Sequence, residues 1–290
     1  MNYRLNIADI GWLLETSPLD ESVSSLRFQD FSGSAHDVFL RVLPAASAEQ
    51  IPQIPSKDGS PAIIGQNGAW HHYSDASWGL WVFDVFSKKP ALYMRIETSW
   101  KIADALYLES EFDSAEDPVH ICGDMLLRAL AVMNNGFVMH ASVVEYNGYA
   151  IMFAAPSGTG KTTQARLWQE HRNARILNGD RPVVRISDGI VHAYGTPWCG
   201  KEPLFEVAQA PVCALFLLEQ ALENTVTRLP LKTSLTKTMA RVFLPLQDTE
   251  LVSKGMTHVG EFIQKVPVYR LQCRPDVGAV EVVEACLKLS

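Results

Sequence analysis

The stretch AAPSGTGKTTQARLW, from Ala154 to Trp168, sets a small apolar run, a flexible polar loop, a lysine and a helical pattern in succession. That order suits the phosphates of a nucleotide. A triphosphate is strongly anionic and has to be held without crowding. Gly158 and Gly160 let the backbone curl so that several N–H groups point inward. A helix starting there adds the partial positive charge of its N-terminus. Lys161 brings a point charge for the β and γ phosphates, and Thr162 a hydroxyl for Mg²⁺. Ser157, Thr159 and Thr163 complete a polar cradle. The general pattern is G-x-x-x-x-G-K-[ST], and its first glycine falls on Ala155, the next least bulky residue. The plainer reading is a glycine-containing turn before a helix with an exposed lysine. The coincidence of strand, glycines, lysine and threonines favours phosphate binding. It does not say what becomes of the phosphate.

That outcome depends on residues elsewhere. Asp180 ends the run ILNGD, where an aspartate either holds Mg²⁺ or accepts a proton from an attacking hydroxyl. Phosphate-loop ATPases usually place this aspartate after a longer apolar strand, and ILNGD fits that variety poorly. His140 lies just upstream of the loop and reaches phosphate if it points that way. Read singly, His140 is more often a satisfied core histidine and Asp180 a turn residue.

Several elements have to position these groups. Residues 137 to 145 read as one strand, Asn147-Gly148 as a two-residue hairpin turn, and residues 149 to 155 as the returning strand that feeds the loop. The strand before such a loop ordinarily belongs to a parallel βαβ unit; here it is the second arm of an antiparallel hairpin. A helix over about 160–171 and a short strand to Leu177 follow. Residues 183–187 and 190–194 form a second hairpin turning at Asp188-Gly189. CALFLLEQ, TVTRLP and VPVYRLQC read as strands, and SLTKTMARVFLP, VGEFIQK and VEVVEACLKL as helices.

Upstream, LRFQDF, DVFLRVLP, WGLWVFDVF and ALYMRIE carry β-branched and aromatic residues in partial alternation, separated by turn clusters such as PSKDGSP and GQNG. Trp12, Trp70, Trp78, Trp81 and Trp100 lie in this half, where packing is the ordinary role of tryptophan. His71 and His72 are adjacent, a spacing that places them on opposite faces of a strand and does not suit a shared metal. An amphipathic helix opening at Asp117-Pro118 and stopping at Asn134-Asn135-Gly136 bridges the halves. The expected organisation is a β-rich domain over 1–118, with a possible part in acceptor recognition, and a phosphate-loop domain over 119–290.

The formal net charge is −7, which argues against a nucleic-acid partner. No apolar run approaches the ~20 residues of a membrane helix. The start MNYRLNIADIGWLLE lacks the basic end, unbroken apolar stretch and cleavage site of a signal peptide. A cytoplasmic protein with no membrane partner is therefore expected. The five cysteines are scattered without C-x-x-C spacing and indicate neither zinc nor disulfides.

MHASVVEYNGYAIMFAAPSGTGKTT, followed by NGDRP, resembles the bacterial HPr kinase/phosphorylase family over roughly residues 137 to 200. GTPWCGKE at 195–202 is similar to a segment of the short HPr-kinase-related proteins labelled serine kinases. SGTGKTT and His140-Ala141-Ser142 also look like ATP-dependent phosphoenolpyruvate carboxykinase, a structural cousin. The resemblance implies an α/β (α+β) fold with a mixed-sheet phosphate-loop domain of the HPr kinase/carboxykinase type. It implies ATP and Mg²⁺ handled by Lys161 and Thr162, and Asp180 as the base for an acceptor hydroxyl and a metal ligand. Arg181 would match the family's neighbouring arginine and His140 its phosphate-proximal histidine. The first aspartate of the family's pair is Gly179 here, and its glutamate-x-arginine-glycine segment is His192-Ala193-Tyr194-Gly195. These losses bear on the reverse phosphorylase reaction and on recognition of HPr, not on ATP-dependent phosphorylation. Lys201 and Glu202 either replace the lost acid and add a phosphate contact, or form a surface loop with a salt bridge. The resemblance further implies a homo-oligomer and a serine of a peptide or small protein as acceptor. A small-molecule kinase and a non-catalytic ATP-binding module stand as alternatives. A carboxykinase would need arginine and metal-ligand segments that have no place here.

Overall fold

A computed structural model describes residues 1–20, 23–30, 36–54, 62–63, 68–73, 77–83, 89–200 and 202–288. Two compact units divide the chain, Met1–Leu127 and Arg128–Ser290. The division falls within the helix Glu116–Met133.

The first unit is built on strands β1 (Asn2–Ile7), β2 (Ile10–Thr16), β3 (Val38–Pro44), β4 (Ala62–Ile63), β5 (Gly68–Tyr73), β6 (Ser77–Phe83), β7 (Pro90–Glu97) and β8 (Ile102–Tyr107). They make one mixed sheet in the order β1-β2-β3-β8-β7-β6-β5-β4. β3 runs parallel to both β2 and β8, and the other pairs are antiparallel. Trp12, Trp70, Trp81 and Trp100 are buried, with Trp70 packed against Trp78 and Trp100 at ring distances of 6.5 and 6.3 Å. LRFQDF is not a strand. A 3₁₀ turn spans Ser24–Phe28, and only Gln29 bridges back to Leu5. Ser25 and Phe28, three apart, are the buried pair, which is the 3₁₀ period. The PSKDGSP cluster and most of GQNG lie outside the described residues.

Helix α1 (Glu116–Met133) leads into the second unit and stops where Asn135 takes a positive φ of 57°. There follow β9 (Gly136–Met139), β10 (Ala141–Tyr146), β11 (Tyr149–Ala154), α2 (Lys161–Arg172), β12 (Arg175–Asn178), β13 (Val183–Ser187), β14 (Ile190–Tyr194), β15 (Gln209–Gln220), β16 (Thr225–Arg228), α3 (Leu231–Met239), β17 (Val242–Phe243), α4 (Thr249–Lys265), β18 (Val268–Cys273) and α5 (Val277–Leu287). The sheet path is β12-β10-β11-β15-β14-β13-β9-β17, with β18 beside β15 and β16 beside β18. β11, β15 and β18 are parallel, and the other pairings are antiparallel.

Alternation along the central strands explains the two cores. Ala150, Met152, Ala154, Leu215 and Leu217 face one side, packed with Val259 and Phe262 of α4. Ile151, Phe153, Ala214, Phe216 and Leu218 face the other, packed with Trp168 of α2 and Val280 and Val283 of α5. Both faces of the sheet are therefore covered. The two hairpins form as their turn residues require: Asn147 and Gly148 have φ of 51° and 80°, Asp188 and Gly189 of 51° and 79°.

Two further expectations differ from the structure. Residues 137–145 do not make one strand. β9 pairs with β13 and β17, whereas β10 pairs with β11 and β12, and His140 sits at the step between them. SLTKTMARVFLP is not one helix: α3 ends at Met239, and Val242-Phe243 pairs with β9 instead. A valine and a phenylalanine suit a pleated surface, and β9 offered a free edge for them. Among the described residues, no helix is long and apolar enough to cross a membrane, and the cysteines are free thiols.

Candidate active site

The site is assembled at the end of β11. The chain leaves the strand at Ala154 and curls through Gly158, at φ 77°, and Gly160, at φ 111°. Gly160 is the N-cap of α2 and contributes no side-chain cap, so the first-turn N–H groups of the helix face the cleft without one. α2 itself is set by Lys161, Gln164, Ala165 and Trp168, whose spacing buries one stripe against the sheet. Ser142 Oγ on β10 donates to the Lys161 carbonyl at 2.8 Å and pins the start of the helix to the hairpin. Ser157, Gly158, Gly160, Lys161, Thr162 and Thr163 line a cleft of about 630 Å³ together with His140, Asp180 and Arg181. Thr159 lies in the loop but on its other flank.

Lys161, His140 and Asp180 meet at the mouth of this cleft. Lys161, only 7 % exposed, places Nζ 2.9 Å from His140 Nε2 and 3.9 Å from Asp180 Oδ1. His140 Nε2 stands 3.1 Å from the same Oδ1. One ring nitrogen either donates to the carboxylate or accepts from the ammonium, so the three groups compete for one proton site. Arg181 Nε approaches the other carboxylate oxygen at 3.5 Å. Burial pushes the Asp180 carboxyl up, but the hydrogen bond from His140 and the charges of His140, Lys161 and Arg181 outweigh it. The group is held below the ordinary carboxylate range. Burial drives the Lys161 ammonium down; Asp180 opposes that shift and the Arg241 guanidinium adds to it.

Backbone contacts place these side chains. His140 N–H donates to the Arg241 carbonyl at 2.7 Å, and Ala141 N–H to the Asp180 carbonyl at 3.0 Å. The strand break at His140 thereby ties the histidine to β17 and the aspartate to the hairpin. Asn178 is fully buried and clamps the turn. Its Oδ1 accepts from the N–H groups of Asp180 and Arg181 at 2.9 and 2.7 Å, and its Nδ2 donates to the Thr196 carbonyl at 2.9 Å. Phe243 supplies an aromatic floor, with the Arg181 and Arg128 guanidinium carbons 5.3 and 5.1 Å from its centroid and the His140 ring at 5.7 Å. Gly179 is closely packed: an added Cβ would lie 3.0 Å from the Cys199 carbonyl oxygen and 3.3 Å from Leu204 Cβ. Glu202 is paired with Arg166 of α2 on the rim of the cleft, while Lys201 lies outside the described residues.

Sequence reasoning missed Asn178, Arg241 and Phe243, and it gave Ser142 no role beyond its place in the run His140-Ala141-Ser142. Only Asn178 carried a local signal, as an Asx residue opening the turn Asn178-Gly179-Asp180. The donor chemistry also bears on Mg²⁺. Thr162 and Asp180 line the same cleft and offer oxygen ligands, and Mg²⁺ commonly binds through one or two carboxylates plus phosphate oxygens. The residues fit such an ion held largely by its nucleotide. Among the described residues, no three His, Cys, Asp or Glu gather as a protein-only metal cage.

No family model matches the chain, and no curated protein matches it. Among solved structures, it is similar to the Hpr(Ser) kinase/phosphatase from Coxiella burnetii, at 10 % identity and a TM-score of 0.29 over 52 % of this chain and 88 % of that one. The likeness is distant.

Proposed function

We propose that this chain is an ATP-dependent kinase that transfers the γ-phosphoryl group to a hydroxyl, a serine of a peptide or small protein. The observation that carries this reading is the meeting of Lys161, His140 and Asp180 within 4 Å at the mouth of an uncapped glycine loop. Their resemblance in type and order to the HPr kinase/phosphorylase motifs supports it.

Catalysis of phosphoryl transfer is mainly positioning and charge neutralisation. The N–H groups of the loop and α2 hold the phosphates, and Lys161 offsets the charge that builds between the β and γ groups. Mg²⁺, when bound, supplies further positive charge at the phosphate oxygens; Thr162 and Asp180 would hold it. Asp180, ionised and anchored by Asn178, orients the acceptor hydroxyl. As the acceptor oxygen bonds to the γ phosphorus and the bond to the ADP oxygen breaks, the hydroxyl proton passes to the Asp180 carboxylate. His140 and Arg181 keep that carboxylate aimed at the cleft.

The test uses labelled ATP and Mg²⁺ with a lysate, candidate peptides and metabolites. Asp180→Asn is expected to lower transfer about 100-fold or more while ATP still binds. Transfer by Asp180→Asn at the parent rate would remove the aspartate from the chemistry. Tight ATP binding with no labelled product from any acceptor would instead favour a nucleotide-sensing module.

A further inference from the structure

The backbone of Arg241 is tied down on both sides. Its N–H donates to the Thr238 carbonyl at 2.8 Å, and its carbonyl accepts from the His140 N–H at 2.7 Å, which fixes the residue beside the site. The guanidinium makes one hydrogen bond, from Nη1 to the carbonyl of its neighbour Ala240 at 3.3 Å. Among the described residues no carboxylate forms an ion pair with it. Its charge bears on Lys161, and two cations held together are unfavourable until an anion joins them.

The nucleotide's phosphates are not the natural partner of this charge. Arg241 does not line the cleft formed by Gly158, Gly160, Lys161 and Thr162. It lines a separate one of about 490 Å³ between the loop and α3, at the carboxyl ends of β11 and β15, where open α/β sheets place their ligands. The polar residues of that cleft are Thr159, Glu219, Thr236, Lys237 and Arg241, and the remaining walls are alanine, proline and leucine. Thr236 Oγ1 donates back to the Lys232 carbonyl at 3.1 Å, and Lys237 Nζ donates to Glu219 Oε1 at 2.9 Å. The carboxylate of the cleft is therefore matched by Lys237, and Arg241 is the cation left over. Phe243, two residues on, lines the first cleft, so the two clefts open side by side at this turn. Across their mouths Lys161, Arg181, Lys237 and Arg241 stand against Asp180 and Glu219.

We propose that Arg241 determines specificity for the acceptor by taking a carboxylate that stands within one residue of the acceptor serine. A guanidinium presents a planar fork of N–H donors that matches the two oxygens of a carboxylate. The α-carboxylate of a serine at a chain end and the side chain of an adjacent Asp or Glu offer the same two oxygens. The inference rests on the kinase reading of the neighbouring cleft. With the hydroxyl at Asp180 in the first cleft, the acceptor chain passes Phe243 and sets its carboxylate on Arg241 in the second.

Initial-rate kinetics of the full chain with labelled ATP and Mg²⁺ test it on two matched pairs of randomised peptide libraries. In one pair a terminal serine ends in a free carboxylate or in an amide. In the other an internal serine is followed by Asp or by Asn. The carboxylate member of at least one pair is expected to show kcat/KM about tenfold or more above its neutral twin, with the difference carried by KM. A preference in the first pair alone assigns the carboxylate to a chain end, and in the second alone to a neighbouring side chain. Arg241→Gln should bring the ratio to within about twofold, and Arg241→Lys, which keeps the charge and loses the fork, should hold it in between. Equal rates within both pairs for the parent overturn the inference and leave the kinase reading standing. So does a preference that survives Arg241→Gln while all peptides slow alike, which would give the arginine to the nucleotide. No transfer to any library overturns the kinase reading and the inference with it.

Discussion

Asp180 and Lys161 are set against each other in a way that predicts opposite effects of neutralising them. The folded protein depresses the Asp180 carboxyl below its ordinary 3.8, so its ion pairs stabilise the fold at pH above that value. That stability is lost as pH falls through the depressed folded value. Chemical denaturation across pH 2–7 should show the parent more stable than Asp180→Asn near neutrality, with the gap closing at the acid end. Lys161 has the reverse linkage. Its folded pKa is lowered, so the fold disfavours the charged lysine despite Asp180 beside it. Lys161→Met keeps the stem and removes the desolvated charge. Its ligand-free melting temperature is expected to rise above the parent's, while ATP binding is lost.

At the scale of elements, the turn between β12 and β13 holds the aspartate, and Asn178 is its fastening. Asn178→Ala leaves the Asp180 and Arg181 N–H groups and the Thr196 carbonyl without that partner. The expected loss is about 2–4 kcal/mol in urea denaturation, with transfer falling alongside because Asp180 is no longer aimed. Asn178→Asp, which keeps the acceptor, should restore part of both. The short strand β17 has a comparable part. By pairing Phe243 with Val138 it brings the aromatic floor beneath Arg181 and sets the Arg241 carbonyl against His140.

At the scale of the molecule, the second unit carries its own core. The two clusters on either face of its sheet draw only on residues between Val132 and Leu287. A chain of residues 116–290, which keeps α1 whole, is expected to unfold in one cooperative transition. It should bind ATP within about threefold of the full chain, because no lining residue of either cleft lies outside it. Calorimetric melting and titration of that chain check both points.

The parts legible in the sequence were the ones that local chemistry dictates. Asn147-Gly148 and Asp188-Gly189 announce their hairpins because few other residues accept positive φ, and Gly158-x-Gly160-Lys161 announces a curled loop ahead of a helix for the same reason. Residues 149–155 and CALFLLEQ also read as strands; that both faces of β11 and β15 are buried came from the structure. Tertiary structure alone decided that the chain steps between pairings at His140, that Val242-Phe243 leaves a helical pattern to edge β9, and that Gly179 is closely packed by the Cys199 and Leu204 segment. Each of these depends on backbone groups distant in sequence: the Arg241 carbonyl, the edge of β9, and the Cys199 and Leu204 segment. Residue types encode the torsions a chain prefers, whereas the partner of an open edge or an unpaired N–H is chosen only when the remote strand arrives.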